Sequence, residues 1–497
     1  MKHKRLVYST AAVFSFVICY FVFFYNKNPR NDLKLETFSI LKKIRKEKKE
    51  EINRYFNEIK KSAINIKDDE KIKEYFLKLK EMKEDLQYAL EIEIDNHYVK
   101  RYGNFYDILF ISPDGFVFHS IKKESDYKKN VFEIKDSKLR QIINNKEKEI
   151  FIDYEYYGPS DEPAAFYSVP VTKNSEFAGW FVLQSAVNTV STMLSKSENL
   201  GQTGEVYLVN QDKLMLSESR FLSDSTILKL KVDTEAVKEA LKNGSGEKII
   251  KDYRGVNVFS SFEKFSQFNT NWIILVEIDE DEIITRYYKE YKPYLKDKII
   301  ENLKEKRNFV QEINISNIDK KRVDINEFIK ANKKSLLYTQ GVSTCTSLSI
   351  SYPDNFGYLA HITPLDEIYY SNKAVKYLLA ERSTDFIGQL LRTVKYYDIY
   401  ASQLNKLKFV ITATHAESFE KAIDKILDNQ VFLSQIKFAF NSNADRVNIY
   451  FLPLDNKTIA QWQVRENLFF EDLSSLNNLS EIVKKIIQYD KMPANRV

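Results

Sequence analysis

Cysteine, glycine and proline are all scarce in this sequence. Its 497 residues include two cysteines, 12 glycines and 10 prolines. Cys19 lies in an apolar N-terminal run, which leaves Cys345 as the one thiol of the remaining chain. Two cysteines so placed exclude a disulfide framework and a cysteine-based zinc site. The low glycine and proline counts exclude collagen-like and low-complexity chains.

A strong excess of charge of one sign is also absent. The 75 basic and 70 acidic residues leave a net charge of +5, and this balance argues against nucleic acid as a main partner. At about 150 residues per domain, the length predicts roughly three folded units.

One long apolar run is present, at residues 6–25. It reads LVYSTAAVFSFVICYFVFFY and contains no charged residue. About 20 apolar residues span a bilayer as a helix, and no small-x-small cleavage site follows. We therefore predict an uncleaved transmembrane anchor at 6–25, within an N-terminal tip and anchor segment at 1–30. Basic residues lie on both sides of it, and the positive-inside rule taken alone favours a cytoplasmic location for the bulk of the chain.

Residues 31–100 have the pattern of a long, highly charged amphipathic helix. Apolar residues recur at steps of three and four along one face, at Leu35, Phe38, Leu41, Ile44, Ile52, Phe56 and Ile59. Such spacing forms one stripe on a helix. Two interpretations stay open: a solvated stalk, or the seam of a homodimer.

From Phe105 the period changes to that of strands. The segment FYDILFISPDGFVFHS has two apolar runs around a Ser-Pro-Asp-Gly turn. Further strands, a helix at 187–197, a second set of strands and a helix at 234–242 follow. This order repeats one α/β unit and predicts an α+β fold with two antiparallel sheets.

These motifs resemble the double Cache sensor domain of bacterial receptors, which is formed by two PAS-like modules. The residues that carry the resemblance are FYDILFISPDGFVF (105–118), PAAFYSVPV (163–171), LGQTGEVYLVNQDKLMLSESRF (200–221), VDTEAVKEAL (232–241), DYRGVNV (252–258) and WIILVEID (272–279). The resemblance implies a sensor at 101–282, with a distal module at 101–190 and a proximal module at 198–282. It also implies a small ligand in the distal module and a role in signal transduction such as chemotaxis.

Aromatic residues and carboxylates of the distal module suit a cationic amine as the ligand. The candidate pocket residues are Tyr106, Asp107, Asp153, Tyr154, Tyr157 and Phe166. The alternative is that each aromatic residue is part of the sheet core. In the proximal module we interpret three charged residues as ion pairs that hold the fold: Arg220, Asp252 and Arg254.

A charged linker helix is predicted at 283–335 and a further domain at 336–497. In the domain at 336–497, the pattern predicts that Cys345 and His361 lie on successive antiparallel strands joined by a turn. A cysteine attacks an amide as a thiolate and needs a nearby base, commonly histidine. Thr339 can fix the imidazole tautomer by its hydroxyl, and backbone amides at 341–345 can form an oxyanion hole. The alternative is a buried cysteine that only packs.

This domain resembles the chemoreceptor glutamine deamidase CheD, an α/β sandwich. The residues that match are TQGVSTC (339–345), AHITP (360–364), AVKYLLAE (374–381), KFVITATHAES (408–418) and SNADRVNIYFLPLDN (442–456). The departures are Val-Ser-Thr before Cys345, where the family has Leu-Gly-Ser, and Thr414-His415 in place of Gly-Gly. The resemblance implies hydrolysis of a glutamine side-chain amide of a protein, with Cys345 as nucleophile, His361 as base and acid, and Thr339 as orienter. No metal or organic cofactor is required.

The two resemblances differ in the compartment that they imply, because Cache domains face outward and the deamidases act in the cytoplasm. We therefore expect a single-pass protein of the bacterial inner membrane with its bulk outside the cytoplasm, and keep the inverted topology as the alternative. For function we expect a ligand sensor that carries a cysteine-dependent amidohydrolase. The alternative is a sensor or scaffold whose last domain only docks a partner protein. A solute-binding protein of a transporter is disfavoured by the extra domain.

Overall fold

The computed structural model describes residues 29–81, 92, 105–195, 200–304, 309–310, 318–332, 334–363, 386–399, 401–415 and 417–487. The predicted membrane anchor at 6–25 and the predicted helix at 374–381 lie outside these residues. None of the helices in the described ranges has the length and apolar character needed to cross a bilayer. The chain divides into two compact units, one of which is Lys34–Glu280, while the other contains the residues from Asp281 onward.

The predicted stalk is two helices in the described residues, α1 (Pro29–Asp68) and α2 (Glu70–Glu81). They are separated at Asp69, whose side chain accepts a hydrogen bond from the Lys71 amide at 3.0 Å. Asp side chains compete in this way for backbone amides and favour helix starts over helix interiors. The continuous helix expected over 31–100 is therefore interrupted at this position.

The apolar stripe of α1 is packed within its own unit. Leu41, Ile52, Phe56 and Ile59 are at most 2% exposed, and the Phe56 ring lies 5.1 Å from that of Trp272. From Leu41 to Ile59 the stripe is therefore covered by the sensor modules of the same chain rather than by solvent, whereas Leu35 at its start is 44% exposed.

The distal module is a five-stranded antiparallel sheet in the order β2-β1-β5-β4-β3. The turn predicted at 112–115 joins its first two strands, and Gly115 there has φ +89°, a conformation that favours glycine. A short helix, α3 (Val187–Ser195), follows the sheet. The strands are β1 (Asp107–Ile111), β2 (Val117–Ser120), β3 (Ile150–Tyr157), β4 (Glu162–Lys173) and β5 (Glu176–Ala186).

The proximal module repeats this plan with a four-stranded antiparallel sheet in the order β6-β9-β8-β7. Helix α4 (Glu235–Asn243) is capped by Thr234, whose side chain accepts a hydrogen bond from the Val237 amide. The predicted order of strands and helices is confirmed in both modules. The strands are β6 (Glu205–Val209), β7 (Ser245–Lys251), β8 (Asn257–Gln267) and β9 (Thr270–Asp279).

The second unit begins with helix α5 (Glu280–Lys304), which kinks at Tyr291, two residues before Pro293. The chain then forms strands β10 (Phe309–Val310), β11 (Asp319–Arg322) and β12 (Glu327–Ala331). The segment predicted as a linker helix at 283–335 therefore contributes strands to the sheets of this unit. Both β11 and β12 are edge strands, where charged side chains remain in water.

Two sheets form the centre of this unit, in the orders β10-β20-β19-β18-β13-β11 and β12-β15-β14-β16-β17. Buried residues from both sheets share one apolar cluster, among them Leu337, Leu359, Val410, Ile449 and Trp462. The helices are α6 (Phe386–Tyr397), α7 (Glu417–Leu427) and α8 (Leu479–Ile486). The remaining strands are β13 (Ser335–Val342), β14 (Thr346–Tyr352), β15 (Phe356–Ile362), β16 (Lys408–Ala413), β17 (Ile436–Phe440), β18 (Arg446–Leu452), β19 (Lys457–Val464) and β20 (Asn467–Asp472).

Candidate functional sites

One face of the distal sheet brings together three of the six predicted pocket residues, Asp107, Tyr157 and Phe166. Asp107 on β1 pairs with Gln184 on β5, and Gln184 pairs with Phe166 on β4. Directly paired residues project to the same face of a sheet. The Tyr157 ring packs against Phe166 at 4.8 Å between centroids, and Tyr106 precedes Asp107 in the chain.

Asp107 uses its carboxylate to fix the segment that follows β2. Its oxygens accept hydrogen bonds from the Ser120 hydroxyl at 2.6 Å and from the amides of Ile121 at 2.9 Å and Lys122 at 3.1 Å. Burial raises the pKa of Asp107 to about 6. Because both oxygens already accept protein donors, this residue shapes the site rather than offering it a free acceptor.

Three further acceptor oxygens near this face have no hydrogen-bond partner in the part of the chain that is described: Asp126 Oδ1, Glu124 Oε2 and Gln184 Oε1. Asp126 is fully buried, accepts from the Tyr157 hydroxyl at 2.7 Å through Oδ2, and has its pKa raised by burial. Gln184 donates to the Ser160 hydroxyl at 3.2 Å. Within the ranges that the structure describes, these three oxygens therefore have no donor.

Tyr106 lies at the margin of this cluster. Its hydroxyl donates to Glu124 Oε1 at 2.6 Å, and this bond, with burial, raises the pKa of Tyr106 to about 12. The Lys122 ammonium lies 5.0 Å from the ring centroid, which shows that the face of this ring accepts a cation.

The other two predicted pocket residues, Asp153 and Tyr154, lie elsewhere. Asp153 accepts a hydrogen bond from the Trp272 indole at 2.9 Å, and the Tyr154 ring lies 6.0 Å from the Trp272 ring. Trp272 belongs to β9, so these residues join the distal module to the proximal one. Sequence reasoning missed Asp126, Glu124 and Gln184, because two of them lie in an irregular segment without periodicity.

In the proximal module, the interpretation of Asp252 and Arg254 as an ion pair is confirmed. Arg254 donates to Asp252 at 2.6 Å and to Asp279 at 2.5 Å. Arg220 differs, since its guanidinium donates to the backbone carbonyl of Gly204.

The C-terminal unit places Thr339, His361 and Cys345 at one end of the space between its two sheets. Thr339 Oγ1 on β13 and His361 Nδ1 on β15 are hydrogen-bonded at 2.7 Å. Both residues are 1% exposed. Burial lowers the pKa of His361, and the negative charge of Asp324 offsets part of this shift. This hydrogen bond holds the imidazole by one nitrogen; the role of Thr339 in orienting a catalytic base stays a prediction.

Cys345 directly precedes β14 and has 8% of its surface exposed. Ser347, two residues later, is paired with His361, so strand alternation directs Cys345 towards the same face as His361. Burial raises the pKa of the thiol. His361 Nε2 has no hydrogen-bond partner among the described residues, so proton transfer from Cys345 requires a closer approach of the two groups than this structure has.

The backbone before Cys345 is irregular, as expected for a turn. The pairing of β13 with β18 shifts between Thr339 and Val342, and Gly341 within the shift has φ +70°. Thr414, one of the two departures from the deamidase pattern, donates its hydroxyl hydrogen bond to the Ser343 carbonyl. It therefore ties the end of β16 to the turn that carries Cys345.

Comparisons with solved structures return receptor domains, each similar to this chain at low identity. The extracellular ligand binding receptor from Desulfohalobium retbaense is 11% identical, with a TM-score of 0.36; the match covers 48% of this chain and 40% of that one. The periplasmic sensory domain of the Campylobacter jejuni chemoreceptor Tlp1 is 16% identical over 50% of this chain and 98% of that one, with a TM-score of 0.38.

A third similar structure is the ligand binding domain of the Pseudomonas aeruginosa amino acid chemoreceptor PctC in complex with GABA. It is 14% identical over 49% of this chain and 100% of that chain, with a TM-score of 0.34. No curated protein matches the sequence. The model of the Cache domain family matches residues 33–287, just over half of the chain. The protein therefore belongs to the Cache domain family.

Proposed function

We propose that this protein is a membrane-anchored bacterial sensor whose distal Cache module binds a small cationic amine. The proposal depends on the three buried acceptor oxygens of Glu124, Asp126 and Gln184 that no described protein group satisfies. Buried polar groups are normally paired. An ammonium group has three donors and a positive charge, so it complements two carboxylates and an amide oxygen. The alkyl part of the ligand would contact the rings of Tyr157 and Phe166, which belong to the apolar core of this module.

Calorimetric titration of the full chain tests this proposal. We expect n-butylammonium to bind and n-pentanoate, which has the same butyl chain and the opposite charge, not to bind. Asp126→Asn should weaken n-butylammonium binding by about tenfold or more, because a hydrogen bond to a charged group contributes about 1.5–3 kcal/mol. Asp153→Asn is the matched control and should leave binding unchanged. Equal binding of both probes, or equal losses in both variants, would refute the assignment.

For the C-terminal unit we propose a second activity, that of a cysteine-dependent amidohydrolase similar to CheD. The hydrogen bond between Thr339 and His361, with the second imidazole nitrogen unpaired, supports it. His361 would take the proton of Cys345, and the thiolate would attack the amide carbon of a glutamine side chain. Ammonia leaves with the proton returned by His361, and water then hydrolyses the thioester to give a carboxylate and the thiol.

Alkylation by iodoacetamide in a Cys19→Ala background, where Cys345 is the remaining cysteine, tests this activity. His361→Ala should slow alkylation at neutral pH by at least about tenfold, as general-base contributions are commonly 10²–10⁴. Thr339→Val should slow it less, since the imidazole remains but is poorly held. His415→Ala, at an exposed histidine of the same unit, is the control. Slow alkylation that is insensitive to His361→Ala would instead support the partner-docking scaffold.

We further propose that the bulk of the chain lies outside the cytoplasm, in line with its Cache domain. Protease treatment of intact cells is the test. Digestion of residues beyond 30 supports this topology, whereas protection until the cells are lysed supports the inverted one. The result also defines which proteins can be substrates or docking partners of the C-terminal unit.

A further inference from the structure

A row of three buried polar side chains crosses the inner face of the sheet beside Cys345. The pairing of β14 with β15 places Ser347 opposite His361, and its pairing with β16 places Ser347 opposite Thr412. Each of the three is 1% exposed. Ser347 Oγ, Thr412 Oγ1 and His361 Nε2 all lack a hydrogen-bond partner in the described residues. Side chains directly opposite one another have Cβ atoms about 4.5–5.5 Å apart, so the three groups are neighbours.

Packing alone does not account for this row. An unpaired buried hydroxyl is unfavourable, and an apolar side chain of the same size would remove that cost. Cys345 lies two residues before Ser347 and belongs to the same apolar cluster as Leu359 and Val410, so the unpaired groups lie on the side of the sheet that carries the candidate nucleophile. Ser349 has an unpaired buried hydroxyl too, but it lies one row further away, opposite Leu359 and Val410.

The chemistry of the row selects a neutral polar group. Hydroxyls both donate and accept, and burial lowers the pKa of the His361 imidazole, which favours its neutral form. A primary carboxamide offers one acceptor and two donors at adjacent positions. A carboxylate offers acceptors only, and its charge would be buried here beside hydroxyls that cannot neutralise it.

We propose that Ser347 and Thr412 recognise the carboxamide of the substrate, and that they favour it over the carboxylate of the product. This inference rests on the proposed amidohydrolase function. It assigns to two residues outside the Cys-His-Thr set the task of holding the amide next to Cys345 and His361.

Two alkylating reagents that differ only in this group provide the test. The reactions are carried out in the Cys19→Ala background with iodoacetamide or iodoacetate. In both, the thiolate of Cys345 forms a bond to the CH2 carbon of the reagent and iodide leaves. The measured quantity is the ratio of the two rate constants, iodoacetamide over iodoacetate. Ser347→Ala and Thr412→Val should each lower this ratio by about tenfold, as expected for a lost hydrogen bond to the amide. The ratio should be retained in Thr412→Ser.

Ser349→Ala is the matched control, since it removes an equally buried hydroxyl from the same strand and face, and it should leave the ratio unchanged. A ratio that is the same in Ser347→Ala and Ser349→Ala, whether lowered or not, overturns the inference. Failure of the proposed function has a different signature: His361→Ala would then leave both rate constants unaltered. Thermal unfolding of each variant confirms that the comparison is made on folded protein.

Discussion

A buried carboxyl in the proximal module should make the stability of the sensor depend on pH. Glu277 on β9 is 3% exposed. It accepts hydrogen bonds from the Ser260 hydroxyl at 2.6 Å and the Tyr207 hydroxyl at 2.9 Å. Burial, with smaller contributions from the charges of Asp252 and Glu205, raises the pKa of Glu277 to about 8.

The sign of the effect follows from proton linkage. The folded protein keeps the Glu277 proton up to pH about 8, whereas an unfolded chain releases it near the ordinary glutamate pKa of about 4.3. Between these values the folded state binds more protons, so the free energy of unfolding falls as pH rises. The contribution is fully present below pH about 4 and is lost by pH about 8, at about 1.4 kcal/mol per pH unit. From pH 5 to pH 7 the loss is about 3 kcal/mol.

Glu277→Gln should remove this dependence, because glutamine has the same shape and does not titrate. Urea denaturation of both proteins at pH 5, 6 and 7, followed by tryptophan fluorescence, gives the difference in unfolding free energy. From pH 5 to pH 7, the free energy of unfolding of the variant should rise by about 3 kcal/mol relative to that of the original protein. Glu176→Gln, at an exposed position of the distal module, is the control. Its free energy of unfolding plotted against pH should run parallel to that of the original protein. Parallel curves for Glu277→Gln would refute the reasoning.

Two further predictions concern the packing of α1 against the sensor modules. Arg45 has a side chain that is 6% exposed and pairs with Glu247 at 3.1 Å and Glu263 at 3.3 Å. Arg45→Met should lower the free energy of unfolding in urea by about 1–3 kcal/mol, because it leaves Glu247 without its ion-pair partner, while Glu263 keeps Lys49 at 2.6 Å. The exposed Lys43→Met should have no measurable effect, and equal effects would contradict the assignment. Phe56→Ala should lower the free energy of unfolding by about 3–5 kcal/mol in the same assay, because it leaves a cavity in the core. A loss below about 1 kcal/mol would mean that the stripe does not belong to the core.

The fold of the sensor was predictable because its signals are local. Alternating apolar residues and a Ser-Pro-Asp-Gly turn define β1 and β2, and Thr234 marks the start of α4. The break at Asp69 was not predicted, since the apolar stripe continues across it and one Asx contact decides the outcome. The edge strands β11 and β12 were read as part of a charged linker because they have too few apolar residues to show a period of two.

Site residues were predicted only where they lie on consecutive strands of the chain. Thr339, Cys345 and His361 were predicted as a group because strands joined by short turns bring them together. Asp126 was missed because its partner, Tyr157, is 31 residues away and no repeating pattern marks the segment that carries it. Asp153 and Tyr154 were assigned to the pocket from their residue types, but the partner that determines their place, Trp272, comes from another module.

The two sensor modules differ in a way that bears on which of them binds a ligand. In the proximal module the oxygens of two buried carboxyl groups are paired within the protein: Glu277 accepts from two hydroxyls, and Glu205 accepts from the Tyr253 hydroxyl at 2.6 Å and the Arg220 amide at 2.8 Å. In the distal module Asp126 accepts one side-chain hydrogen bond and leaves its second oxygen unpaired in a fully buried position. A carboxyl group whose oxygens are paired within the protein contributes to the fold, whereas an unpaired buried oxygen can still accept a hydrogen bond from a bound ligand. This difference therefore favours the distal module over the proximal one as the place of the proposed ligand site.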